Sequence, residues 1–324
     1  MSEREVVDFL ATVPLLEGRD EADLVQLARV MRRRTVRKGE ILWHEGDYAR
    51  EMLFVVDGVV SASLHVAGDR TVEIGSAGPG ETVGETGLVD GQGHMTGVRA
   101  TETATVLALG RLDFAALVAG RSSSAFALKR RLASLFTARL RDWLRYLALS
   151  LGGDLAGPPA EDAARPLADL ESCSPPDSKY VRRMATFHDF DPLALWGFLT
   201  SGSYVRCPPG VTLLAEGGPP TAYYLTINGA VERVLVRGNR RIRVGLAGPG
   251  KAFGYESLID GRLSPFSAIT RERVLLLVVP RDLFGRLFNG EDAVSRGFLD
   301  VIQKELVATL RQTLRQHARL ASSV

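Results

Sequence analysis

Cysteine is almost missing from this sequence. Cys173 and Cys207 are the only two, and no Cys-x-x-Cys pair occurs. That excludes a disulfide framework and fits a reducing, cytoplasmic setting. Histidine is sparse too. His44, His65, His94, His188 and His317 are scattered, with no His-x-His pair. A metal site on facing strands, as in cupin enzymes, needs clustered histidines and a carboxylate, so no metal is expected. Neither a Gly-x-Ser-x-Gly elbow nor a phosphate-loop lysine motif is present, and no enzyme chemistry is expected. No apolar run reaches the about 20 residues of a membrane helix. The longest helical candidate, residues 125–151, is broken by Lys129, Arg130, Arg131, Arg139, Arg141, Asp142 and Arg145. The start, Met1-Ser2-Glu3-Arg4-Glu5, lacks the apolar core of a signal peptide. A formal net charge of +2 is too small to argue for nucleic acid or an anionic membrane as partner.

What the chain does have is itself, twice. Lys38-Gly39 followed by Ile41-Leu42-Trp43-His44-Glu45-Gly46 returns as Pro209-Gly210 followed by Val211-Thr212-Leu213-Leu214-Ala215-Glu216-Gly217. Phe54-Val55-Val56-Asp57-Gly58 returns as Tyr224-Leu225-Thr226-Ile227-Asn228-Gly229. Gly39 and Gly210, Glu45 and Glu216, Gly58 and Gly229 all lie 171 residues apart. Ala77-Gly78-Pro79-Gly80 and Leu88-Val89-Asp90-Gly91 return 170 residues on, as Ala247-Gly248-Pro249-Gly250 and Leu258-Ile259-Asp260-Gly261. One residue has been lost between. A chain of 324 residues has room for two domains, and the repeat says they are copies.

Each copy reads as short strands between glycine turns. Asp57-Gly58 and Asn228-Gly229 are tight-hairpin signals because such turns need positive φ. Gly68-Asp69-Arg70 and Gly238-Asn239-Arg240 mark the next hairpins. Evenly spaced short strands suggest a barrel-like roll. A helix is expected over residues 16–31, capped by Asp20, and over residues 192–201 before the second roll. After the first roll Leu128, Leu132, Leu135, Phe136, Leu140, Trp143, Leu144 and Leu147 form an apolar stripe, with caps offered at residues 122–124. Val294, Phe298, Ile302, Leu306, Leu310 and Leu314 form a narrower one after the second. Residues 152–178, with Gly152-Gly153, Pro158-Pro159, Pro166 and Pro175-Pro176, have linker composition. The expected domains are residues 1–151 and 179–324. The fold class is α+β, mainly β: two tandem β-roll (double-stranded jelly-roll) domains, each flanked by helices. Arg32-Arg33-Arg34 with Arg37-Lys38 is expected at a solvated helix end, and Lys129–Arg131 on a solvated face.

Helix, roll, Gly-Pro-Gly turn and long helix resemble the cyclic-nucleotide-binding domain, over residues 15–151 and 187–320. Two in series resemble the regulatory subunit of cyclic-AMP-dependent protein kinase. One alone resembles the effector domain of the catabolite activator protein. A DNA reader would need a helix-turn-helix after the long helix, and none is expected. The resemblance implies a ligand site after the Gly-x-Gly turn. Its pattern is Phe-Gly-Glu, apolar residues, then Pro-Arg-Ser/Thr-Ala. The glycine admits a helical turn whose amides face the cyclic phosphate, the glutamate accepts from the ribose 2′-hydroxyl, and the arginine neutralises the phosphate.

In the first copy the matching residues are Val83, Gly84, Glu85, Thr86, Gly87 and Leu88, with Glu85 at the ribose position. The arginine has no clear counterpart near His94, Met95 and Thr96. Repeat register puts Thr96 there, and counting back from Val98-Arg99-Ala100 puts His94 there. Arg99 falls on the next strand, facing away. A solvent-exposed loop histidine is expected at His94; facing the pocket, it would partly replace the arginine when protonated. In the second copy Phe253, Gly254, Tyr255, Glu256, Ser257 and Leu258 carry the first half of the pattern. Tyr255 replaces the glutamate and Glu256 is shifted by one. Pro265, Phe266 and Ser267 carry the second half, with Phe266 in place of the arginine and expected to fill the pocket. Each lost contact to a charged group costs about 1.5–3 kcal/mol, so ordinary nucleotide binding is expected only in the first copy. The expected protein is a non-enzymatic sensor whose ligand is a cyclic nucleotide or dinucleotide. Its long helices would form a homo-oligomer or dock a protein partner. The alternative is a scaffold with two degenerate pockets.

Overall fold

The computed structural model describes residues 1–66, 70–120, 123–150, 164–237 and 240–321. The expected hairpin tips at Gly68-Asp69 and Gly238-Asn239, the Ser122 cap and the first half of the expected linker lie outside them.

In the first copy the elements run α1 (Glu3–Thr12), α2 (Glu21–Val30), β1 (Met31–Val36), β2 (Ile41–Trp43), β3 (Glu51–Asp57), β4 (Val60–Val66) and β5 (Arg70–Ala77). They continue with β6 (Thr82–Val83), α3 (Thr86–Asp90), β7 (Gly97–Ala100), β8 (Ala104–Gly110), α4 (Arg111–Ala119) and α5 (Ser123–Ser150). In the second come β9 (Glu171–Ser172), α6 (Ser178–Arg182), α7 (Pro192–Ser201), β10 (Ser203–Cys207), β11 (Thr212–Leu214), β12 (Ala222–Asn228) and β13 (Val231–Arg237). Then follow β14 (Arg240–Ala247), β15 (Ala252–Phe253), α8 (Tyr255–Asp260), β16 (Ser267–Thr270), β17 (Val274–Pro280), α9 (Arg281–Asn289) and α10 (Ala293–Ala321).

The copies share one topology. The first roll has antiparallel sheets ordered β1-β8-β3-β6 and β2-β7-β4-β5. The second has β11-β16-β13-β14 and β10-β17-β12-β15, with β9 added outside β10. Three bulges recur at matching places, at Ile41/Trp43 and Thr212/Leu214, Val55/Asp57 and Thr226/Asn228, and Ala62/Ser63 and Arg233/Val234. Bulges bend a strand and tighten its twist, which closes a short sheet into a roll. Gly58 and Gly229 take φ +79° and +81°, as the hairpins require. Each roll packs a single apolar core from both of its sheets. In the first it runs from Val36, Trp43 and Leu53 to Val98 and Val106; in the second from Cys207, Leu214 and Tyr224 to Ala268 and Leu276.

Local signals hold at helix starts. Asp20 accepts from the Asp23 amide at 2.8 Å, and Asp191 caps α7 ahead of Pro192. Four expectations are corrected. The helix before the first roll ends at Val30, so Arg32, Arg33 and Arg34 lie on β1, which pairs with the apolar β8. Arg34 bonds Glu51 at 3.1 Å. Lys129 is not solvated. It is 6% exposed, because Ala125 to Leu128 around it are buried as well. The later part of the expected linker belongs to the second roll. Arg165 donates its amide to Thr212, β9 pairs with β10, and Leu170 enters the core. The stripe on α10 is broad rather than narrow: Leu299, Val301 and Val307 are buried beside Phe298, Ile302 and Leu306.

The compact units do not follow the repeat. One comprises Met1–Leu135 with Leu314–Val324, the other Phe136–Thr313. The boundary therefore falls inside α5, rather than after residue 151 as the composition suggested.

Candidate functional site

In the first roll β6 leads through Gly84 into α3. Gly84 has φ +85°, and a Cβ there would meet the Glu51 carbonyl at 3.0 Å and the Trp43 ring at 3.1 Å. Only glycine suits so close an approach. Gly87 is equally confined, since its Cβ would fall 2.2 Å from that of Ala49. Glu85, at the N-cap of α3, is 1% exposed. Thr82 donates its hydroxyl to the Glu85 carboxylate. Val83, Thr86, Gly87 and Leu88 are buried around it. A glutamate this buried demands partners, and the sequence pattern offers a polar ligand as one of them.

His94 is not the exposed loop residue expected. It is 5% exposed and stacks on Trp43, ring centroids 4.1 Å apart and planes 9° from parallel. The stack is held from both sides. Trp43 Nε1 donates to the Thr96 carbonyl at 3.1 Å, His94 donates its amide to Asp47 at 2.8 Å, and Gly46 donates to His94 at 2.9 Å. Met95 and Thr96 are half-buried, and Arg99 is exposed on β7. The two registers weighed for the missing arginine resolve into two places. Ser264 makes the backbone bonds of His94, to Gly217 and Gly218. The pairings Trp43 with Val98 and Leu214 with Ala268 set Thr96 opposite Phe266 in the repeat.

The second roll has the same frame and a different filling. Gly254 has φ +87°, and its Cβ would meet the Ala222 carbonyl at 2.6 Å. Phe253, Tyr255 and Phe266 are fully buried. Phe253 stacks on Tyr224 at 5.0 Å, in the places held by Val83 and Leu53 in the first copy. The Tyr255 hydroxyl lies 3.3 Å from Thr309 Oγ1 on α10, and burial pushes its pKa well above the usual value. Glu256 accepts from the Gly254 amide at 3.1 Å. Burial raises its pKa, against the pull of the Arg233 charge. Leu258 and Ser267 are half-buried, and Ser267 accepts from the Glu216 amide at 2.9 Å.

Two arginines in this unit were not singled out from sequence. Arg233 on β13 is 5% exposed, with its guanidinium carbon 5.6 Å from the Phe266 ring centre. Arg141, on the part of α5 that belongs to this unit, forks onto Asp260 at 2.5 and 2.9 Å. It also donates to the Leu263 carbonyl at 2.9 Å and to Ser257 at 3.4 Å. Beside it, Arg145, Leu144, Leu235, Arg262 and Pro265 line a cavity of about 210 Å³. The sequence signal for Arg233 was its register, since it repeats Ala62 and each faces a glycine, Gly245 and Gly75.

Among the described residues no group of three or more His, Cys, Asp or Glu side chains could hold a metal ion, and no helix is long and apolar enough to cross a membrane. Comparison with known proteins falls on both rolls. The family described as the cyclic nucleotide-binding domain matches residues 33–121 and 204–291. A cyclic nucleotide-gated potassium channel of Mesorhizobium japonicum is 37% identical over 106 residues, 33% of this chain and 28% of the channel. An uncharacterized NTE family protein of Mycobacterium tuberculosis is 23% identical over 236 residues, 72% of this chain and 40% of that protein. The chain thus spans well under half the length of either relative. Among solved structures, the regulatory domain of Toxoplasma gondii PKA with cAMP aligns over 89% of this chain and 93% of its own, at 17% identity and a TM-score of 0.36.

Proposed function

The chain belongs to the cyclic nucleotide-binding domain family through both of its rolls, and on that premise we propose that it is a non-enzymatic regulatory protein that senses a cyclic nucleotide through the first roll alone. The observation that carries this reading is Glu85. It is a carboxylate held almost wholly out of solvent at the start of α3, behind a glycine that admits no side chain. The position opposite Gly75, filled by arginine in the second copy, is only Ala62 here. The His94–Trp43 stack adds an aromatic wall that a nucleobase can extend.

Titration calorimetry of the full chain against cyclic AMP, cyclic GMP and cyclic dinucleotides tests it. One equivalent should bind per chain, and Glu85→Ala should weaken binding about 10- to 150-fold, the worth of a hydrogen bond to a charged group. Binding unchanged by Glu85→Ala, or two equivalents per chain, would contradict it. No binding at all would favour a scaffold acting through helix-mediated self-assembly or partner docking, a reading that Tyr255 and Phe266 already support for the second copy. Two free thiols, one of them buried, suit a reducing cytoplasm. The channel activity of the potassium-channel relative is not carried over, as the match covers 28% of it.

A further inference from the structure

The second roll contains a charged side chain that none of its pocket landmarks call for. Arg233 points inward from β13, where arginine is rarely buried without a purpose. Its surroundings are shaped to it. Gly245 stands opposite on β14, and a Cβ there would lie 2.5 Å from the Arg233 terminal nitrogen. Phe266 offers its ring to the guanidinium at 5.6 Å, inside cation–π range. Thr309 Oγ1 accepts from Arg233 Nη1 at 3.3 Å and also meets the Tyr255 hydroxyl. Glu256 supplies a buried carboxylate with one oxygen, Oε1, unpartnered, and Arg233 Nε is unpartnered as well. An aromatic face, a carboxylate and a hydroxyl converge on one planar cation. These features suit a cation, whereas the nucleotide-binding pattern calls for an arginine to receive an anion.

We propose that the second roll is a guanidinium-binding site occupied by the chain's own Arg233, and that this occupied seat, rather than a nucleotide, holds α10 on the roll. The five residues divide the work. Phe266 and Tyr255 close the space a base and sugar would need, Gly245 leaves room for the fork, and Glu256 supplies the opposite charge. Thr309 passes the contact to the helix. The second roll is therefore closed without any ligand. The proposal is independent of the first roll's reading, and its test runs in the Glu85→Ala background so that a nucleotide in the first roll cannot intrude.

Arg233→Ala in the full chain vacates the seat. Its melting temperature should fall, then rise again with low-millimolar guanidinium or methylguanidinium chloride but not with tetramethylammonium chloride. The parent should show no such rise. Guanidinium ordinarily destabilises folded proteins, so a gain is diagnostic. A vacated site indifferent to guanidinium would overturn the proposal, and so would one stabilised by cyclic AMP instead. Should Arg233→Ala fail to fold, Arg233→Met keeps the bulk without the charge, a change folds often tolerate. Amide exchange along residues 302–310 of α10 should then be about tenfold faster or more, the worth of one charge-assisted hydrogen bond. Exchange at the parent's rate would equally overturn it.

Discussion

The two rolls are built on one frame and diverge where a ligand would sit. Trp43 and His94 stand in the first where the second has Leu214 and Ser264. Leu53 and Val83 stand where the second has Tyr224 and Phe253. Glu85 and Ala62 stand where it has Tyr255 and Arg233. The bulges, the positive-φ glycines and the strand order are kept throughout. Frame and filling therefore answer to different demands. The frame needs turns and register, which glycine and alternation supply. The filling needs only matched volume and matched charge. Volume has moved from one wall to the other, and charge has changed from a buried anion to a buried cation with its own carboxylate.

Three changes sharpen or break this contrast, beyond those tied to Glu85 and Arg233. The largest effect is expected at the clamp on the second roll. Arg141→Ala strands Asp260 in a half-buried place and should cost about 2–3 kcal/mol, as charge-assisted pairs do. Chemical denaturation reads this, and a loss no larger than that of an exposed arginine would deny the clamp any part in stability. Next comes a matched pair of glycines. Gly245→Ala drives a methyl into the Arg233 fork and should cost about 1–3 kcal/mol by overpacking. Gly75→Ala, at the same place in the first roll, meets nothing within 4 Å and should be neutral or slightly stabilising. Equal effects would mean that the two interiors do not differ as described. The smallest effect is a slope. Because burial raises the Glu256 pKa in the folded state, the folded protein binds more protons than the unfolded chain just above 4.5. Stability should then fall as pH rises from 4.5 through the raised value. Thermal melts of Glu256→Gln should lose that part of the slope, and melts with the parent's slope would contradict it.

Much of the frame was legible because its causes are local. Asp57-Gly58 and Asn228-Gly229 declare hairpins in two residues, and Asp191-Pro192 declares a helix start. Glu85 and Tyr255 could be set side by side because the repeat lent each its counterpart. The misplaced residues answer to distant partners. His94 looked like a loop histidine until Trp43, about fifty residues away in sequence, supplied a ring to lie on. Arg32 to Arg34 looked like a helix end, because the strand that claims them, β8, comes more than seventy residues later. Arg233 was passed over for a subtler reason. Attention to the landmarks of a nucleotide site leaves unread the strand between them. Only its register against Gly245 marks it as inward.

The long helix α5 carries a consequence for how such a protein can be inherited and taken apart. Read by its repeat, the chain is two interchangeable cassettes. Read by its packing, the second cassette includes Phe136 onward, with the Arg141 that holds Asp260. A gene fragment cut at the repeat boundary would separate those two residues, and a duplicated or transplanted second roll would arrive without its cation. The portable unit begins fifteen or so residues upstream of where homology would place the scissors, in the middle of a helix that neither half can give up.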